Sequence, residues 1–319
     1  MRISYRSGIE IKEGDVAIHL DPTRGYEGSV VSHAHLDHLM PKSFMTFQTK
    51  DIMFVRKGSG QAEGVEYDKE FELKGFSLAM RKAGHVFGSA MIRVNDLLYT
   101  GDFNPDGGKT CGKALPEECN TLIIEATYGR SDLTFPEKEE VLNDLLAWAE
   151  ICLKEGTVII GCYTFGKAQE LIANMNKLDY PVVVTDEIGR LGEVYKRHGI
   201  DLDFISLSNA SEELKNSPHI FIVNNRILRR PLKGYLRELR DRGARACYVS
   251  GWCSFFNFSI RNEIDAQFPV SDHADFNSLI EFTQKCNPRK IYTVHGYTEH
   301  LAKELRKLGY DANALERGR

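Results

Sequence analysis

His33-Ala34-His35-Leu36-Asp37-His38 follows directly on the apolar run Gly28-Ser29-Val30-Val31-Ser32. The run reads as a short strand, so the six residues fall where a strand gives way to a loop or helix and neighbouring side chains can converge. Neutral imidazole and carboxylate are good ligands for zinc and related divalent ions. A solitary histidine is more often a satisfied polar residue, but three of the chain's ten histidines and an aspartate in six positions are hard to explain without a metal. A two-metal centre needs further donors, and three others occupy similar strand-end positions. They are His85 in Gly84-His85-Val86-Phe87-Gly88, Asp102 in Thr100-Gly101-Asp102-Phe103, and His295 between the run Tyr292–Val294 and Gly296.

Outward from this stretch, the first 110 residues read as short strands broken by turns: Gly28–Ser32, Phe71–Met80, Ala90–Val94 and Asp96–Thr100. Residues 121–125 form a buried strand run, and the apolar spacing from about Glu137 to Lys154 predicts a helix. From Thr157 strands and helices alternate. The strands are Thr157–Cys162, Pro181–Thr185, His219–Val223 and Ala246–Ser250. The helices are Gly166–Met175, Ile188–His198 and Leu228–Arg242. Such alternation predicts a parallel sheet with crossover helices. Residues 277–286 and 298–308 are predicted helical, flanking a strand at Lys290–Val294. The reading is an α+β core spanning 1–155 and 266–319, with an α/β unit inserted at 156–265.

Composition is that of an ordinary globular chain: of 319 residues, 42% are hydrophobic and 27% charged. The net charge of −4 does not by itself predict a polyanion partner, so any basic surface must be local. Seven cysteines without a CxxC pair argue against a disulfide framework and against a thiolate zinc site. The N-terminal stretch has no apolar core of a signal peptide, and no window approaches the length of a membrane span. The expectation is a soluble cytoplasmic protein with no membrane partner.

The histidine pattern and its spacing resemble the metallo-β-lactamase superfamily. The resemblance implies a four-layer αββα fold. It also implies two Zn2+ ions (Mn2+ or Fe2+ being able to substitute), one on His33, His35 and His85, the other on Asp37, His38 and His295, with Asp102 bridging. Asp21, in Leu20-Asp21-Pro22, matches the early aspartate that orients a ligand from behind. Two close metals imply hydrolysis, because they acidify water and stabilise a leaving oxygen. Histidine at position 35, where flavodiiron relatives carry a carboxylate, favours that chemistry over redox.

Three further segments narrow the class: Ile124-Glu125-Ala126-Thr127-Tyr128-Gly129, Phe165-Gly166-Lys167-Ala168-Gln169-Glu170, and Ser271-Asp272-His273-Ala274-Asp275. Together with His295 before Gly296 they resemble the β-CASP nucleases, over nearly the whole chain. Shorter matches, such as Ser250-Gly251-Trp252, are similar to a subgroup of stand-alone DNA-ligase-associated exonucleases and archaeal mRNA 3′-end processing factors. The implied function is zinc-dependent hydrolysis of single-stranded DNA or RNA, with Asp37, His273 and Glu125 as catalytic residues. His273 would be the general acid and Glu125 the carboxylate holding it protonated. A homodimer and association with a DNA ligase or RNA-processing proteins are compatible with the resemblance. The short insert favours end processing.

For substrate contacts, Gly166 and Lys167 at a helix start could receive a phosphate. Residues 226–245 carry eight Arg or Lys, of which Arg229, Lys233 and Arg237 would form one helical stripe along a nucleic-acid backbone. A small-molecule hydrolase of thioesterase or lactonase type is the competing enzyme reading, but it leaves Lys167 and the Glu125–His273 pair without a task. An inactive scaffold subunit is the third reading. Such proteins lose ligands, whereas every expected ligand is present here.

Overall fold

Ile9, Ile11, Ile18 and Leu20 alternate with exposed or half-exposed residues along two neighbouring strands, and all four are buried. That period of two gives the sheet one apolar face. The computed structural model describes residues 1–35, 42–58, 61–228, 232–258 and 264–316. The expected ligands Asp37 and His38, and Arg229, lie outside the described residues.

The chain opens with β1 (Arg2–Tyr5), β2 (Ile9–Glu13), β3 (Val16–Leu20), β4 (Ser29–Val30) and β5 (Ser43–Thr46), followed by α1 (Phe47–Lys57) and β6 (Glu63–Val65). It continues through β7 (Glu70–Leu73), β8 (Phe76–Lys82), β9 (Ala90–Val94), β10 (Leu97–Tyr99) and β11 (Thr121–Ala126). Next come α2 (Lys138–Leu153), β12 (Val158–Cys162), α3 (Lys167–Met175), β13 (Val182–Val184), α4 (Asp186–Arg197) and β14 (Ile205–Ser206). They precede α5 (Glu212–Asn216), β15 (Ile220–Asn224), α6 (Asn225–Leu228), α7 (Tyr235–Asp241), β16 (Arg245–Val249) and β17 (Ala266–Phe268). The last elements are α8 (Phe276–Cys286), β18 (Lys290–Gly296), α9 (Thr298–Lys307) and β19 (Asp311–Ala314).

Two of the three sheets belong to one unit, residues 1–134 with 273–319. The first runs β1-β2-β3-β4-β5-β6 and the second β19-β18-β11-β10-β9-β8-β7. Their inner faces share one core, in which Ile11, Ile18 and Val30 meet Leu78, Ile92 and Tyr99. The other face of the second sheet carries Leu98, Leu122, Ile124 and Ile291, covered by Phe282 of α8 and by Leu301 and Leu305 of α9. With α1 against β5 and β6, this is the expected helix–sheet–sheet–helix order.

The other unit, residues 135–272, holds the third sheet, β14-β13-β15-β12-β16-β17, with every pairing parallel. A strand in the middle of a parallel sheet has both faces covered, so it reads as a continuous apolar run; β12, Val-Ile-Ile-Gly-Cys, is buried throughout. This division differs from the bounds read in the sequence, because α2 packs on α3, β12 and β17 and therefore groups with the later residues.

Two expected elements are split. Phe71–Met80 is a hairpin, not one strand: Leu73 pairs with Phe76 across Lys74-Gly75, whose φ values of 52° and 80° suit a two-residue hairpin turn. The expected helix Leu228–Arg242 is divided into α6 and α7, with Gly234 at φ 55° just ahead of α7. Lys233 thus stands outside α7, so it does not share a helical face with Arg237, which is paired with Asp241 at 3.1 Å. Lys233 and Arg237 thus do not form the helical spacing expected of them. Among the described residues no helix is long and apolar enough to cross a membrane.

Truncating a fully buried side chain in the central strand of the third sheet should be costly. Ile160→Ala is expected to lower stability by about 2–5 kcal/mol, measured as a shift in the urea unfolding midpoint. A loss under about 0.5 kcal/mol would contradict the central placement of β12.

Candidate metal centre

The centre forms where strands of the two-sheet unit end. β4 leads through Val31 and Ser32 into His33 and His35, β8 into His85, and β10 through Thr100-Gly101 into Asp102. Gly101 has φ 52°, and a Cβ there would come within 2.8 Å of Ser32. Only glycine lets these two strand ends approach so closely.

His33 Nε2 lies 3.5 Å from Asp102 Oδ2, His85 Nε2 lies 3.9 Å from the same oxygen, and His85 Nε2 lies 3.4 Å from His35 Nδ1. All four donor atoms fall within 4.8 Å of one another. The three rings stand nearly edge to face, with centroids 4.8–5.1 Å apart. Donor atoms held about 2.0–2.1 Å from a tetrahedral zinc lie roughly 3.3–3.4 Å from one another. The observed separations, from 3.4 Å to within 4.8 Å, leave His33, His35, His85 and Asp102 close enough together that they could hold a metal ion.

The protonation pattern also fits. Asp21 is buried, and its carboxylate accepts from Ser32 N–H at 2.7 Å, Ser32 Oγ–H at 2.6 Å and the Tyr99 hydroxyl at 2.8 Å. Ser32 has one hydroxyl proton, and Asp21 takes it. The contact of 2.8 Å between Ser32 Oγ and His33 Nδ1 must then be donated by the histidine. His33 Nε2 is left with its lone pair toward Asp102, as a metal ligand requires. Burial, reinforced by His85, holds the His35 imidazole well below its ordinary pKa, so it too is neutral. Burial alone would raise the Asp102 carboxyl; positive charge on the His33, His273, His85 and His295 imidazoles, when they are protonated, opposes this and holds Asp102 well below the usual carboxylate range.

His295 reaches the site through a break in regular pairing. β11 and β18 run in register up to Glu125 opposite Val294, after which Ala126 stands opposite Gly296. His295 is the extra residue and takes φ 57°. Such a bulge re-aims a side chain at the end of a strand. His295 acts on the charge of Asp102 but is not among the four converging donors.

Beside these groups stands a second pair. Glu125 is fully buried; Oε1 accepts from Phe103 N–H at 2.9 Å and Oε2 from Thr127 N–H at 3.2 Å. His273 Nδ1 donates to Oε1 at 3.0 Å, and its ring centroid lies 4.4 Å from that of His85. Asp102, Glu125 and His273 also come within 4.8 Å of one another. Glu125 thus accepts from two amides and lies within hydrogen-bonding distance of the His273 imidazole.

The expected phosphate contacts are not available. Lys167 is 2% exposed, and its ammonium donates to the Val270 carbonyl and the Asp272 carboxylate, each at 2.7 Å. The Gly166 N–H is taken by Gln169 Oε1 at 2.9 Å. Both groups are spent inside residues 135–272. Sequence reasoning also missed Ser32 and Tyr99: a serine before a histidine and a tyrosine ending a strand carry no signal until the fold brings Asp21 to them.

A two-sheet sandwich with imidazoles and carboxylates gathered at its strand ends is the architecture of the metallo-β-lactamase class. Residues 263–315 match the family described as "Zn-dependent metallo-hydrolase RNA specificity domain". Over 303 residues the chain is 28% identical to a "Probable DNA ligase" of Opitutus terrae, covering 90% of this chain and 28% of the ligase. It is 24% identical to an "RNase J-like protein" of Methanocaldococcus jannaschii, covering 86% of this chain and 82% of that protein. A solved structure of a protein of unknown function from Enterococcus faecalis superposes with a TM-score of 0.67 over 99% of this chain and 98% of its own, at 15% identity, and so shares the fold. These comparisons support a metallo-hydrolase of the β-CASP type within the metallo-β-lactamase superfamily. It spans little more than a quarter of the length of the ligase it matches.

Removing the hydroxyl that turns the His33 tautomer should weaken metal binding. Ser32→Ala is expected to lower zinc affinity by about 10- to 100-fold, read by competition with a chromophoric chelator. Unchanged affinity would exclude the Asp21–Ser32–His33 relay.

Proposed function

We propose that the chain is a metal-dependent phosphodiesterase acting on single-stranded nucleic acid, processing ends. The observation that carries this reading is the buried Glu125 carboxylate holding His273 Nδ1 at 3.0 Å beside the imidazole–carboxylate cluster. Metal capture alone does not call for that pair, whereas cleavage with a poor leaving group does, because the departing oxygen needs a proton. The names of the relatives, a ligase and an RNase J-like protein, and of the matched RNA specificity domain agree with a nucleic-acid substrate.

Residues His33, His35, His85 and Asp102 would hold one ion. His295, with Asp37 and His38, would supply a second, and Asp102 would be shared. The ions would contribute Lewis acidity and charge neutralisation at the phosphoryl oxygens. In the reaction water adds to phosphorus, the bond from phosphorus to the leaving O3′ breaks, and O3′ takes the proton from His273 Nε2. Glu125 fixes the ring through Nδ1 and balances the imidazolium charge, leaving Nε2 as the donor atom. The proton lost by water restores the imidazole through solvent. Residues 135–272 would form the β-CASP unit that guides the strand.

Purified chain incubated with end-labelled single-stranded DNA and RNA is expected to shorten at least one of them, and a chelator should stop it. Cleavage of neither polymer would overturn the proposal. His273→Ala should lower kcat by about 10²- to 10⁴-fold while metal content by atomic absorption stays at the wild-type level. Equal turnover would remove His273 from the chemistry.

A further inference from the structure

Lys167 is a buried cation that the reaction above leaves unused. It opens α3 after the turn Tyr163–Gly166, which is braced from within: Gln169 Oε1 accepts the Gly166 N–H at 2.9 Å, and Gln169 Nε2 donates to the Thr164 carbonyl at 3.1 Å. The braced turn sends the lysine stem inward. Its ammonium binds the Val270 carbonyl and the Asp272 carboxylate at 2.7 Å each. Burial lowers the Lys167 pKa, and the nearby Asp272 charge opposes that effect. An ion pair this buried costs desolvation and is weak evidence for stability; its use is to specify one arrangement.

What it specifies is the chain entering His273. Val270 and Asp272 flank Ser271, and Asp272 is joined to His273 by a peptide bond. On the far side of the histidine, Ala274 N–H donates to the Phe103 carbonyl at 2.8 Å, and Asp275 caps α8 by accepting from Ser278 N–H at 2.8 Å. Phe103 is also the residue whose N–H holds Glu125. The downstream anchor therefore comes from the loop that holds Glu125, and Lys167 supplies an upstream one.

We infer that Lys167 is a positioning residue for the general acid: by fastening Val270 and Asp272 it sets the backbone from which His273 projects. This rests on the reading of His273 as the proton donor. A displaced acid fails where the leaving group needs a proton and matters little where it does not. A misplacement of about 1 Å can cost about 10²-fold.

The test compares two substrates in the metal-loaded full chain. One is a single-stranded oligonucleotide; the other is a p-nitrophenyl phosphodiester, whose leaving group departs as the phenolate. In Lys167→Met, kcat on the oligonucleotide should fall by about 10- to 100-fold. KM should change less than about threefold, and the rate ratio of the two substrates should shift in the direction seen for His273→Ala. Asp272→Asn, which keeps the shape and an acceptor oxygen, should shift the ratio in the same sense by a smaller factor and serves if Lys167→Met does not fold. Lys167→Arg, able to reach both acceptors, should recover part of the loss. An unchanged ratio, with both rates falling together or neither falling, would overturn the inference while leaving nuclease activity in place. Wild-type protein that cleaves neither substrate would overturn the nuclease reading and this inference with it.

Discussion

Three imidazoles and a carboxylate can ligate one metal ion only if each ring turns a lone pair, not a proton, toward the common centre. The chain meets this condition from behind the ligands. Asp21 consumes the only proton of Ser32, so His33 must donate outward, and burial keeps His35 neutral. Glycine at position 101 allows the strand end bearing Asp102 to come against Ser32. The donor spacing follows from these supports, and the chemistry proposed for the site follows from the spacing.

Much of this arrangement could be read before folding was considered, for a physical reason. Metal ligands and proton donors are limited to a few side-chain types, and they cluster where strands end. His33, His35, His85 and Asp102 are legible on those grounds, whereas Glu125 and His273 were legible only through the resemblance to a nuclease family. The apolar run of β12 and the strand–helix alternation after it were equally legible, because a parallel sheet buries both faces of its inner strands. Supports were not legible. Ser32, Tyr99 and Gln169 act through contacts set by tertiary structure, and their residue types are common everywhere. Turns were underread as well: Lys74-Gly75 is a hairpin signal inside what looked like one strand, and Gly234 marks the start of a new helix inside what looked like one.

Lys167 shows how residue type can mislead about role. A lysine at a helix start beside a glycine suggests an anion site, and the helix dipole supports that view. Burial reverses it: an ammonium 2% exposed and paired with a carboxylate is out of reach of a phosphate in solvent. It follows that Lys167 does not by its charge separate a nuclease from a small-molecule hydrolase. The discrimination falls instead on the Glu125–His273 pair.

The order of the sheets also governs when the molecule can become competent. β18 lies between β11 and β19 in the seven-stranded sheet, yet residues 135–272 are synthesised between β11 and β18. A ribosome-bound chain thus exposes the first histidine cluster long before His273 and His295 exist. The half-made sheet ends at β11, without β18 and β19, and the face that α8 and α9 cover is open. On the proposed reading, a nascent chain that stops before His273 can gather imidazoles but lacks the group that would protonate a leaving oxygen.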